Sequence, residues 1–150
     1  MKDEKLKYET YLSECLKHLN ILKNNFKKIS SYLPINLNNI QELYEKEETL
    51  SILDQISYRF IKLQETLGKL IKVYLFLKGE DTSEKSMIDL INLGEKIGIP
   101  ITEDLWMNIR LMRNMITHEY PDSLQDIVTA INELQNLLPS ISKLVEFLSH

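Results

Sequence analysis

A chain of 150 residues suits one domain and is long enough to bury a real core. Four glycines and four prolines are few for a sheet protein, whose strand connections need turn formers, so the composition points to helices. The net charge of −4 argues against a surface that grips nucleic acid everywhere, and no apolar run is long enough to cross a bilayer.

Cys15 is the single cysteine, which excludes an intrachain disulfide. It is expected as a small buried apolar group in a reducing compartment. Met1-Lys2-Asp3-Glu4-Lys5 has no hydrophobic segment behind it, so no secretory leader is expected and the expected location is the cytoplasm.

The first helix is predicted over residues 3–31. Leu6, Tyr11 or Leu12, Cys15, Leu19, Leu22, Phe26 and Ile29 recur at spacings that keep them on one stripe. Pro34 ends the pattern by disfavouring helical geometry at Leu33, and residues 35–40, with three asparagines, read as a loop. A second helix runs from Ile40 or Glu45 to Leu77, with acidic residues at its start and a buried stripe from Leu50 to Tyr74. Gly68 inside it costs roughly 1 kcal/mol against alanine and marks a candidate close approach of helices. Lys78-Gly79 stops this helix.

A third, short helix is expected from Ser83 to Ile97, capped by Asp81 or Thr82 with Glu84 as a capping-box carboxylate. Thr102 caps a fourth helix that runs to about Glu119. Pro121 breaks the chain, and Asp122 or Ser123 caps a last helix that continues to Leu148, with Pro139 expected to kink or divide it. Short connections make sequential helices antiparallel neighbours. The expected fold is a single all-α domain over residues 1–150, an up-and-down antiparallel bundle of four or five helices.

Charge is uneven along the chain. Residues 57–78 carry Arg59, Lys62, Lys69, Lys72 and Lys78 against Glu65, whereas residues 79–104 carry seven acids against Lys85 and Lys96. One basic face on an acidic protein fits this distribution, and so do mixed, solvated helix faces.

The densest chemistry lies at the end of the fourth helix, Arg113-Asn114-Met115-Ile116-Thr117-His118-Glu119-Tyr120. On a helical wheel with Arg113 at zero, Thr117, Arg110, Asn114 and His118 fall within about 140°. Leu105, Ile109, Leu111, Met112, Met115, Ile116 and Glu119 fill the opposite arc, which is expected to be core. Trp106 and Met107 fall on the polar arc, where large apolar groups point to a covered surface or subunit contact. Arginine forks onto phosphate oxygens and histidine exchanges protons near neutral pH, so the pair suits phosphodiester cleavage without metal. His118 has no second His or Cys at ligand spacing, so no metal site is expected. An Arg, Asn and His on a helix face equally suit solvent contact or hydrogen bonds to another helix, and the residues alone leave that choice open. Elsewhere, His18 is expected to be solvated, Asp54 and Arg59 to belong to mixed-charge surface, and Tyr58 and Tyr74 to pack.

The pattern Arg113, four residues, His118, one residue, Tyr120, with Asn114 directly after the arginine, resembles the signature of HEPN-domain proteins (higher eukaryotes and prokaryotes nucleotide-binding). It is most similar to the HepT toxins encoded beside a minimal nucleotidyltransferase antitoxin, MntA. The resemblance implies a helical bundle that forms a homodimer, with the motif helices of two protomers making one composite active site. It implies a metal-independent endoribonuclease without cofactor, acting on RNA, with Arg113 and His118 catalytic and Asn114 supporting. Arg110 and Thr117 share the motif's face and are candidate substrate-binding residues. Tyr120 is implied as the acceptor of AMP from the antitoxin. Two other roles stay open: a non-catalytic nucleotide- or substrate-binding companion of a nucleotidyltransferase, and a structural helical adaptor.

Overall fold

The computed structural model describes residues 2–117 and 124–150. Among these the chain forms α1 (Lys2–Lys28), a short 3-10 helix (Ser30–Tyr32), α2 (Leu37–Glu45), α3 (Glu47–Leu77), α4 (Met87–Lys96), α5 (Glu103–Ile116) and α6 (Leu124–Leu148). The described residues are all-α, with six α-helices where four or five were expected. The expectation that the fourth helix reaches Glu119, and the capping roles of Asp122 and Ser123, lie outside the described residues.

The extra helix comes from side-chain chemistry. The Asn36 side chain accepts the backbone N–H groups of Asn38 and Asn39, each at 2.9 Å. Asn39 answers by accepting the Asn36 N–H at 2.8 Å. This reciprocal cap satisfies donors that a helix start leaves open, so the asparagine run opens α2 instead of forming a loop. Lys46 then adopts extended geometry and separates α2 from α3, so the expected second helix is two. The Thr49 hydroxyl donates to the Leu43 carbonyl across that break. The third expected helix also starts late. Ser86 caps α4 by accepting the Asp89 N–H at 3.1 Å, while Glu84 sits at φ 58°, a left-handed geometry that cannot open a helix. Asp81 instead holds the Ser83 N–H and hydroxyl in a turn. At α5 the Thr102 hydroxyl accepts the Leu105 N–H at 3.0 Å, as expected. Pro139 does not divide α6.

The long helix α3 is the spine. The Tyr8 ring lies tilted against that of Tyr74, and Arg59 bonds His18, so α1 runs antiparallel to α3 on one side. Trp106 sits over Gly68 and Arg113 reaches Glu65, so α5 runs antiparallel to it on another. Leu22, Ile56, Phe60, Leu67, Leu70, Leu134, Ile141 and Leu144 are buried between the helices. Cys15 is fully buried, as its place on the stripe requires; Leu6, expected on the same stripe, is 64% exposed near the free end of α1. Tyr58 is exposed rather than packed, lying beneath the cations of Arg59 and Lys62. One polar clamp ties the α1–α2 connection to α6: Asn132 accepts the Ile35 N–H and donates to the Ile35 carbonyl, both at 2.8 Å.

Candidate functional site: the groove between α3 and α5

The rotation of α5 differs from the expectation and decides where its charges point. Trp106, Ile109, Met112 and Ile116 are the buried residues, and Leu111 and Met107 are about half exposed. The core arc therefore runs from Met112 through Ile109 to Trp106, about 120° wide and centred on Ile109, with Arg113 about 20° inside its Trp106 edge. The physical reason is Gly68. Without a side chain there, α3 offers a notch that the Trp106 indole fills, with Cη2 3.5 Å from where a Cβ would stand. Burying that indole outweighs burying Leu111, because the ring removes more apolar surface from water. The close approach anticipated at Gly68 is thus real, while Trp106 is core rather than an outer contact.

Arg113 consequently lies at the edge of the buried arc and leans on α3. Its Nη2 donates to Glu65 Oε1 at 3.1 Å, and its Nε has no acceptor among the described residues. Arg110, one turn earlier, is exposed and carries no ion pair among the described residues. Both arginines line a hollow of about 330 Å³ whose opposite wall is Glu65, Lys69 and Lys72 of α3 and whose floor includes Gly68 and Trp106. Asn114 is exposed, about 100° further round the helix, beside Met107 and Leu111. The structure thus joins Arg110 to Arg113 in one groove and leaves Asn114 on the adjoining outward face.

Thr117 closes α5. Its N–H reaches the Arg113 carbonyl, and its hydroxyl donates to the Asn114 carbonyl at 2.9 Å. Its surface belongs to a different hollow, of about 340 Å³, shared with Tyr44, Asp54 and Ser57. There burial, reinforced by the Asp54 charge, raises the Tyr44 phenol above its usual range. His118 and Tyr120 lie outside the described residues. His18 is partly buried rather than solvated. Its Nδ1 lies 3.1 Å from Arg59 Nη1, and burial first, then the arginine charge, lowers its pKa.

Glu65, Lys69 and Lys72 were not singled out as site residues. Their spacing of four and three places them on one face of α3, and the basic excess of residues 57–78 was the available signal. Among the described residues no group of three His, Cys, Asp or Glu is placed to hold a metal ion, and no helix is long and apolar enough to cross a membrane. Searches against protein-family models, curated proteins and solved structures find no match.

Proposed function

We propose that this chain is a HEPN-type, metal-independent endoribonuclease, the toxin of a toxin–antitoxin pair. The observation that carries the reading is the sequence pattern Arg113, His118, Tyr120, whose arginine stands in the last turn of α5 and lines a basic groove with Arg110. In this reading His118 takes the proton of a ribose 2′-hydroxyl. The 2′-oxygen then bonds to phosphorus, the bond from phosphorus to the 5′-oxygen breaks, and a proton returns to that leaving oxygen. Arg113 neutralises charge gathering on the phosphoryl oxygens, and Asn114 supports it. Met107 and Leu111, exposed in line with Asn114, supply the apolar patch on which a second copy would close a composite cleft. A partner nucleotidyltransferase silences the enzyme by transferring AMP from ATP to the Tyr120 oxygen: the phenol loses its proton, its oxygen bonds to the α-phosphorus, and pyrophosphate leaves. The added bulk and negative charge then occupy the place of the RNA phosphate.

The test is expression in cells with and without the adjacent gene, together with cleavage of RNA in excess chelator. Wild type should arrest growth and cut RNA, and His118→Ala and Arg113→Ala should do neither. Mass spectrometry should find an AMP-sized gain on Tyr120 when a partner nucleotidyltransferase is co-expressed. Equal toxicity of wild type and His118→Ala would remove the nuclease assignment. Nucleotide binding without any RNA cleavage would assign the chain as a companion of the transferase.

A further inference from the structure

The hollow beside Arg113 does not end at α5. A second hollow, of about 210 Å³, lies on the other side of the same α3 face, and Lys69 and Lys72 line both. The two adjoin at these lysines and together follow α3 from Glu65 to Phe76, about 16 Å at the rise of an α-helix, as a furrow in two parts. Five cations line it: Lys7, Lys69, Lys72, Arg110 and Arg113. Its two acids are both engaged, Glu4 with Lys7 at 3.4 Å and Glu65 with Arg113 at 3.1 Å. Five cations less two acids leave an excess of three positive charges on a protein whose net charge is −4.

Aromatic surface is interleaved with these charges. The Lys69 ammonium stands 5.9 Å from the centre of the Tyr11 ring, and Phe76 is 40% exposed where the furrow ends. Alternating cations and ring faces suit a flexible chain of phosphates and bases, because cations follow the backbone and every base has a face to stack. An acidic peptide would use the cations and leave the rings idle.

We propose that this furrow is a track for single-stranded RNA, with Lys69 and Lys72 as positioning residues that lead the strand to Arg113. Glu65 holds the place of a phosphate in the free protein. Its carboxylate takes Arg113 as a phosphodiester oxygen would, and binding exchanges one anion for the other. The Arg113 Nε, which has no acceptor among the described residues, gains one when the guanidinium turns from Glu65 towards the strand. This deepens the nuclease reading by naming how its substrate is held.

The experiment measures fluorescence anisotropy of a labelled 2′-O-methyl RNA 12-mer, which lacks the attacking hydroxyl, over a range of salt. Variants are Lys69→Gln/Lys72→Gln and Glu65→Gln in the full chain. Each phosphate contact of a single strand contributes about 0.7 to the slope of log K against log salt, so the double variant should lower that slope by about 1.4. Its KM for cleavable RNA should rise at least tenfold with kcat held, and Glu65→Gln should bind more tightly than wild type. Unchanged affinity and slope in the double variant would overturn the track, as would weaker binding by Glu65→Gln. Displacement by polyglutamate as readily as by RNA would also overturn it, in favour of an acidic peptide. Loss of cleavage alone, with groove-dependent binding intact, refutes the nuclease and leaves the track standing. Cleavage indifferent to both lysines refutes the track and leaves the nuclease.

Discussion

Replacing Asn132 by alanine removes both arms of the clamp that holds Ile35 to α6. The Ile35 N–H and carbonyl each lose a partner at 2.8 Å, and Ile35 itself is 3% exposed, so water reaches the orphaned groups poorly. An unsatisfied buried backbone group costs about 1–3 kcal/mol, which sets the expected loss at about 2–4 kcal/mol for the pair after partial relaxation. In a chain of this length that corresponds to a fall in Tm of roughly 5–12 °C. Thermal and urea unfolding followed by circular dichroism measure it directly. Asn132→Asp keeps an acceptor for the N–H but sets a carboxylate against the carbonyl, so it should lose as much as alanine. Asn136→Ala, an exposed position on the same helix, is the control and should change stability by under about 0.5 kcal/mol. A loss below about 1 kcal/mol in Asn132→Ala would refute the reasoning, because the connection would then be held by apolar packing alone.

Gly68→Ala should be neutral or raise stability by up to about 1 kcal/mol, since the new methyl meets Met87 Sδ and Trp106 at 3.5 Å, ordinary contact, and alanine favours the helix. Gly68→Leu should lose several kcal/mol by driving Trp106 out; equal Tm for both variants would show that the notch is unfilled. Burial pushes the Cys15 thiol up to about 12, with Glu14 adding to the shift, so a disulfide reagent at pH 8 should leave the native protein untouched and titrate one thiol in denaturant. Rapid reaction of the native protein would contradict that burial. The His18 imidazole is held below its ordinary 6.5, so on acidification the unfolded chain takes up this proton first and stability falls as pH drops below that value. His18→Gln should flatten that part of the acid limb, and an NMR titration midpoint at or above 6.5 would reverse the sign.

The long helices were legible because apolar stripes hold their period over many turns, and because Thr102 and the Lys78-Gly79 stop are local signals. The break at Lys46 carried no proline or glycine to announce it. The α2 cap depends on two asparagine amides answering each other, a geometry that a count of loop formers reads as a loop. The same limit governed the site. Periodicity grouped Arg110 and Arg113 correctly, but the azimuth of α5 depends on a partner surface, the empty Gly68 position, that lies 38 residues away (106 − 68) along the chain. The groove therefore needed the fold to bring α3 against α5 before Lys69, Lys72 and Glu65 became neighbours of the arginines.

The indole in the Gly68 notch has a consequence for the far end of its helix. Trp106 and Arg113 are seven residues apart, which in an α-helix leaves them within about 20° of the same bearing. A flat ring wedged against a bare backbone acts as a key in a slot and fixes the angle at which α5 is set. A turn of about 20° would sweep a group near the helix surface through about 2 Å, enough to part the Arg113 guanidinium from Glu65, which it meets at 3.1 Å. The bearing of the guanidinium is thus set two turns away from it, by a buried apolar ring.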